Sequence, residues 1–475
     1  MPVSPDYQPD PRFEALGPEF ADPVRPAAFP ELVLRFRNRR AALSVGLDEL
    51  TEAEWLEHFG RFAPLPGNPA PPLAMRYHGH QFRTYNPDLG DGRGFLFAQA
   101  REIGSGRLLD FGTKGSGQTP WSRAGDGRLT LKGGVREVLA TAMLEALGVP
   151  TSKSFSLIET GEALQRSDEP SPTRGAVLTR LSHSHIRFGS FQRHAALERP
   201  DLIGRLVDHV VETYDPDLIG AENRPAALLD AVVQRSAELT ARWMAAGFVH
   251  GVLNTDNMNI NGESFDYGPY RFLPRNDPNF VAAYFDHSGL YSFGRQPEAV
   301  FWNLRQLAGA LSLVSDTEPL IEALNRFGPA YQTALAGAIV ARLGLRPASA
   351  GADVALANAA FRALAEGGEG LRWEPFFFDW FCGLESEQRA MTGPRAALYE
   401  GEAFRAFTNI LSAREADRPG RLRAAYFQGP EPEELLYDQI EGLWTPIAER
   451  DDWSAFEAKL SSIEIARDAW GLGGV

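Results

Sequence analysis

Cysteine is almost absent from this chain: Cys382 is the only one in 475 residues. No disulfide can therefore form within the chain, which fits a reducing compartment. Cys382 lies between Phe381 and Gly383 in an aromatic segment and reads as a buried small hydrophobe, not a reactive thiol. No run of 18 or more apolar residues occurs, which excludes an ordinary membrane-spanning helix. The N-terminus is acidic and proline-rich and lacks the basic and apolar regions of a secretion signal, so a cytoplasmic location is expected. Positive charge is also in deficit. The 47 Lys and Arg against 62 Asp and Glu leave a net charge of −15, which argues against general binding to nucleic acid or to anionic membranes. Internal repeats are absent. What remains is a chain with 44% hydrophobic residues, long enough to bury a large core and to form several structural units.

The most informative stretch is His250-Gly251-Val252-Leu253-Asn254-Thr255-Asp256-Asn257, followed by Asp266-Tyr267-Gly268. An Asn and an Asp about ten residues apart can hold magnesium against nucleotide phosphates, because magnesium takes few protein ligands and fills its shell with water and phosphate oxygens. Asn257 and Asp266 have that spacing, and Asp256 adds a second carboxylate. The residues between them predict a short strand, an Asn261-Gly262 turn and a return strand. Upstream, Pro225 to Ala246 predicts a helix with an apolar stripe through Leu229, Val232, Val233, Leu239 and Trp243, stopped by Gly247. Helix, loop, hairpin and aspartate is the order of a kinase C-lobe. Val252, however, stands where such enzymes carry the catalytic aspartate, so the site is either dead or chemically rearranged.

Phosphate-binding features also lie well upstream. Leu89-Gly90-Asp91-Gly92-Arg93-Gly94 precedes a predicted strand from Phe95 to Ala100, and a Gly104-Ser105-Gly106 turn returns the chain toward Lys114. Glycine lets backbone amides approach phosphate, and Arg93 adds charge. Glu137 follows Lys114 within a predicted helix, Val135 to Leu147. A strand lysine paired with a glutamate on the next helix is the kinase device for orienting phosphates. Between them, residues 115–128 form a second glycine-rich loop suited to closing over a nucleotide. Arg180 and Arg187, seven residues apart, can reach a common anion if the chain turns between them. Gly161 to Arg174 is expected to be a surface loop, and Arg35, Arg37, Arg39 and Arg40 the solvated face of an N-terminal element.

Seven motifs now carry a specific resemblance. They are Tyr77-His78-Gly79-His80-Gln81-Phe82, Leu89 to Gly94, Lys114-Gly115-Ser116-Gly117, Asp126-Gly127-Arg128, Ser184-His185-Ile186-Arg187-Phe188-Gly189, Asn254 to Met258, and Phe265-Asp266-Tyr267-Gly268. In this order they resemble the selenoprotein O family, densely from about Pro30 to Trp302 and more thinly to about Gly383. The resemblance implies a pseudokinase fold working as a protein adenylyltransferase. ATP would bind in a flipped orientation, and AMP would pass to a Ser, Thr or Tyr hydroxyl of a protein substrate while pyrophosphate leaves. Carried over by motif, Lys114 and Glu137 hold phosphates, and Gly90, Gly92, Arg93, Asp126, Gly127, Arg180 and Arg187 line the nucleotide site. By the same resemblance Asn257 and Asp266 would bind magnesium, with manganese as an alternative, and Asp256 would be the proton acceptor. A carboxylate near its ordinary pKa is a weak base at neutral pH, so the residues alone suggest that Asp256 mainly orients the hydroxyl or binds metal. The family often has a Cys- or selenocysteine-containing tail. This chain ends Gly471-Leu472-Gly473-Gly474-Val475, so redox gating through a disulfide within the chain is not carried over.

The expected fold is α+β and bilobal, protein-kinase-like: an N-terminal extension (1–75), a β-rich N-lobe (76–190), a mainly helical C-lobe (191–385) and a helical C-terminal extension (386–475). Three functions stand side by side: AMP transfer to protein hydroxyls, ordinary γ-phosphate transfer, and a silent nucleotide-binding module. Val252 and the arginine pair favour the first over the second. The complete set of Lys114, Glu137, Asn257 and Asp266 argues against the third.

Overall fold

The computed structural model describes residues 3–68 and 70–472; Pro69 and the chain ends at 1–2 and 473–475, which belong to the two expected extensions, lie outside the described residues. The architecture is mixed α+β, an antiparallel sheet followed by a helical C-terminal half. The early strands are β1 (Ala21–Pro23), β2 (Val33–Arg37) and β3 (Leu73–Met75), then a separate hairpin of β4 (Gly79–Gln81) and β5 (Thr84–Asn86). The remainder of the sheet is β6 (Leu96–Arg101), β7 (Leu108–Lys114), β8 (Leu129–Thr130), β9 (Lys153–Leu164) and β10 (Thr173–Ser182). Its order is β1-β3-β6-β7-β10-β9-β2, with β8 paired to β10. Residues before Met75 thus supply three strands of this sheet. Central β7 is buried along its whole length, as expected of a strand covered on both faces.

One face of the sheet packs on α1 (Arg39–Leu43) and α2 (Glu52–Phe59), where Trp55, Phe59, Phe111 and Phe155 form an aromatic cluster. The expected solvated arginine face holds for Arg39 and Arg40, which are exposed at the start of α1, but is corrected for Arg35 and Arg37. Arg35 and Arg37 lie on β2; Arg35 pairs with Glu159, and Arg37 donates to the carbonyls of Leu47, Asp48 and Leu50 while covering the Trp55 ring. Both guanidinium groups are held by the fold because their strand is an integral edge of the sheet. The expected 161–174 loop is also shorter, since β9 runs to Leu164 and β10 begins at Thr173.

Helix α3 (Leu131–Ala146) covers the other face. It begins four residues before the expected Val135, because Thr130 caps it by accepting from the Gly133 N–H at 3.1 Å. From Phe188 the chain is largely helical: α4 (Phe188–Ala196), α5 (Pro200–Tyr214), α6 (Arg224–Ala245), α7 (Gln296–Leu311), α8 (Thr317–Asn325) and α9 (Phe327–Arg342). Then come α10 (Ala350–Glu366), α11 (Trp373–Asp379), α12 (Glu387–Thr392), α13 (Glu402–Leu411), α14 (Ala425–Gln428), α15 (Tyr437–Arg450) and α16 (Ser454–Trp470). Helix α6 matches the expected helix within a residue at each end, with Pro225 in its first turn and Gly247 at φ +60° beyond it. Cys382 is 1% exposed, and burial pushes its thiol up to about 11.

The expected hairpin at 258–265 does not form. The Asn261-Gly262 turn is present, but its two arms pair outward: Ile260 N–H donates to Ile186 O and Ser264 N–H to Pro150 O. Neighbouring segments satisfy these backbone groups, so the arms have no need of each other.

Candidate active site

Strand pairing sets the first part of the site. Lys114 on β7 lies opposite Leu178 of β10, and Arg180 lies opposite Gly112. Directly opposed residues share a face of the sheet, so Lys114 and Arg180 point to the same side as diagonal neighbours. A cleft of about 720 Å³ opens there. Eleven of the twelve residues expected at the site line it: Gly90, Gly92, Arg93, Lys114, Asp126, Gly127, Arg180, Arg187, Asp256, Asn257 and Asp266. Glu137 is the exception. It stands behind Lys114, fully buried on α3, and forms an ion pair with the Lys114 ammonium.

Lys114 Nζ also lies 2.6 Å from Asp266 Oδ1, and Arg180 Nη1 lies 3.2 Å from the same oxygen. Burial opposes ionisation of Asp266, but Lys114, Arg180, Arg93 and Arg187 together hold its carboxyl well below the usual carboxylate range. Its backbone sits at φ +63°, a left-handed conformation unusual outside glycine. Arg187 is wedged between the rings of Tyr77 and Phe265, at 4.5 and 4.9 Å, and donates to the Asp256 carbonyl at 2.8 Å.

The loop bearing Asp256 is fixed mainly through its neighbours. Thr255 Oγ1 accepts from the His80 N–H at 2.7 Å, and Asn254 Oδ1 accepts from the Phe82 N–H and the Tyr291 hydroxyl. The β4–β5 hairpin therefore grips this loop directly. Burial pushes the Asp256 carboxyl up to about 6 against the pull of Arg187, and its Oδ1 has no hydrogen-bond partner. Asn257 donates from Nδ2 to the Val252 carbonyl at 3.0 Å, which ties down the nitrogen end of the amide. Two carboxylates and an amide oxygen are the hard donor type that small divalent cations prefer. The Asp256 oxygen without a protein partner fits that chemistry.

The two glycine-rich segments meet over the cleft. A side chain on Gly90 would run into the Trp121 ring, which donates from Nε1 to Asp22 at 2.9 Å. Asp126 is held by Arg166, at 2.8 Å from Nη1 and 3.1 Å from Nη2, so the 165–172 connection arches back to the cleft mouth. Trp121, Arg166 and Asp91 were missed by sequence reasoning. Asp91 lies inside the first glycine-rich motif, where a carboxylate among phosphate-binding residues was a signal available to be read; it faces Arg187 at 3.3 Å. Arg166 carried no local signal.

Comparison with known proteins places the chain in a family. A sequence model of the family described as "Protein adenylyltransferase SelO" matches residues 4–464, well past Gly383, where recognisable motifs end. A "Protein nucleotidyltransferase YdiU" of Synechocystis is 53% identical over 341 residues, covering 71% of this chain and 70% of that protein. The protein of the same name from Gloeobacter violaceus is 46% identical over 465 residues, covering 95% and 93%. That from Trichodesmium erythraeum is 43% identical over 471 residues, covering 96% and 98%. A family match over nearly the whole chain, with relatives of this identity covered over 70% and 93% of their length, establishes that the chain belongs to the SelO family of protein adenylyltransferases and is a protein nucleotidyltransferase.

Proposed function

We propose that this enzyme transfers AMP from ATP to Ser, Thr or Tyr hydroxyls of protein substrates and releases pyrophosphate. The observation that carries the reading is the convergence of Lys114, Arg180 and Arg187 around Asp266, beside a loop in which Val252 replaces the usual base. Transfer to a hydroxyl forms a bond from that oxygen to the α-phosphorus and breaks the bond from the α-phosphorus to the oxygen bridging to the β-phosphate. The leaving pyrophosphate gathers negative charge, and preorganised cations stabilise it as it develops. Lys114, oriented by Glu137, supplies that charge together with Arg180 and Arg187. The hydroxyl proton passes to Asp256, whose carboxyl at about 6 is a better acceptor near neutral pH than an ordinary aspartate. Gly90, Gly92, Arg93, Asp126 and Gly127 enclose the nucleotide. Asn257 and Asp266 would hold a divalent cation, magnesium or manganese, which when bound neutralises phosphate charge.

In this reading the fold is bilobal and kinase-like. Its N-lobe (76–190) draws strands from the first 75 residues, its C-lobe (191–385) carries the loop at Asp256, and residues 386–475 extend the C-lobe. Among the described residues no helix is long and apolar enough to cross a membrane. The net charge of −15 suits a cytoplasmic enzyme that meets proteins and ATP, not nucleic acid.

The test is to offer Mg-ATP labelled at either the α- or the γ-phosphate, together with several acceptor proteins. The α-label is expected to become covalently attached. Attachment of γ-label alone would establish a kinase, and attachment of neither would favour a silent module.

A further inference from the structure

Helix α3 carries Glu137, yet its first turn is poorly built to stand alone. Gly133 and Gly134 occupy it, and glycine is the weakest helix former after proline. Packing requires Gly134, where a side chain would run into Leu157 of β9; a Cβ on Gly133 would lie 2.9 Å from Leu129 Cδ1, the end of a flexible side chain. The segment leading to Glu137 therefore needs support from outside the helix.

Helix α15 provides it, more than 300 residues later in the chain. Glu441 pairs with Lys132 at 2.7 Å, beside the two glycines. One turn earlier on α15, the Tyr437 ring lies 4.0 Å from the guanidinium of Arg271. Arg271 in turn donates to the carbonyls of Pro269, at 3.0 Å, and Tyr270, at 2.8 Å, in the segment following Asp266. The other end of α15 is anchored to the sheet, where Asp451 accepts from Arg35 at 3.0 Å and Arg174 at 2.7 Å. A single helix thus touches the element bearing Glu137 and, through Arg271, reaches the segment that follows Asp266, and it is pinned at its far end. No side chain of α15 enters the cleft.

We propose that α15 is a bracket that sets the Glu137 helix and the Asp266 loop relative to each other, with Glu441 and Tyr437 as positioning residues for nucleotidyl transfer. The proposal rests on the reading that Lys114, Glu137 and Asp266 serve one nucleotide. Neither positioning residue lines the cleft. Both act through the distance between the Lys114–Glu137 pair and Asp266.

The experiment uses the full chain with Glu441→Ala, Tyr437→Ala and the charge exchange Lys132→Glu/Glu441→Lys. It measures kcat and KM for Mg-ATP in α-label transfer, and hydrogen exchange over residues 131–146 and 266–272. Each single variant is expected to lower kcat about two- to fivefold, the scale of one partly exposed ion pair or cation–π contact, with faster exchange in both segments. The charge exchange should restore kcat, and Arg450→Ala, which breaks only an exposed pair with Glu449, should leave it unchanged. Faster exchange with kcat unchanged in Glu441→Ala and Tyr437→Ala would make α15 a purely structural element and overturn the proposal, as would no effect on either measurement. Glu137→Gln separates the two levels. Wild-type transfer by that variant would overturn the reading of the nucleotide site and the bracket with it, whereas its loss alongside an unaffected Glu441→Ala would overturn the bracket alone.

Discussion

Lys114→Met is the perturbation whose cost the structure specifies most closely. The Lys114 ammonium is 5% exposed and lies between Glu137, 1% exposed, and Asp266, 24% exposed. Methionine fills a similar volume but leaves Glu137 buried without a cation, and Glu137 Oε2 already has no partner. Breaking a buried ion pair from one side costs about 3–5 kcal/mol, because the remaining charge is uncompensated. Asp266 suffers less, since Arg180 stays at 3.2 Å from it. Glu137→Gln alone should cost about 1–2 kcal/mol, because Lys114 keeps Asp266 and the amide still fits. In the double variant the stranded charge is gone, so about 2–3 kcal/mol of the summed single costs should be recovered. Urea unfolding in metal-free, nucleotide-free buffer, followed by tryptophan fluorescence, measures all four proteins of the cycle. All three variants should also lose α-label transfer. A Lys114→Met protein within about 1 kcal/mol of wild type, or a double variant as unstable as the sum of the singles, would refute the claim that this pair is a coupled buried unit.

Three further outcomes are expected. Asp256 titrates at about 6 in the folded protein against an ordinary 3.8; the folded state then binds more protons than the unfolded one between these values, so stability falls by about 3 kcal/mol as pH rises from about 4 to 6. Asp256→Asn should lack that component in thermal melts across the range and lose transfer, while wild-type transfer should rise through about pH 6; a wild-type melting profile in Asp256→Asn would count against the shift. Asp126→Ala frees the 165–172 connection from the cleft mouth and should raise KM for ATP several-fold, roughly the worth of a partly exposed bidentate pair, with little change in kcat; an unchanged KM would remove Asp126 from the nucleotide enclosure. Finally, Lys114 and Arg180 both contact Asp266 Oδ1, so a non-hydrolysable ATP analogue that draws those cations onto its phosphate oxygens should strengthen metal binding measured by calorimetry; magnesium binding equally tight with and without the analogue would refute this linkage.

The parts of the site that were legible in the sequence are those whose signals are local. A glycine-rich run followed by apolar residues marked the first loop of the cleft, Pro225 and Gly247 bracketed α6, and the spacing of Asn257 and Asp266 reflected one turn of chain. Lys114 and Arg180 each stood out by type, and β-pairing then placed both on one face. Where local signals misled, a partner distant in sequence had taken over. The arms of the 258–265 segment have the composition of a hairpin, but residues near 150 and 186 supply their hydrogen bonds. The arginines of β2 look solvated by composition, but Glu159 and the carbonyls after α1 hold them.

The same contrast explains why the role of the C-terminal helices was opaque, although their presence was expected. Nothing in Tyr437 to Arg450 marks it as part of an active site, because its contribution lies in which elements it joins. Glu441 and Lys132 are an ordinary ion pair by residue type, separated by 309 positions. That pair gains meaning from the two glycines beside it, which weaken the helix just ahead of Glu137 and of which Gly134 is imposed by close packing on Leu157. Local weakness at a catalytic element and a distant helix that braces it are two halves of one arrangement. Only the first half leaves a trace in the nearby sequence, as a Gly-Gly pair inside a segment that folds as helix.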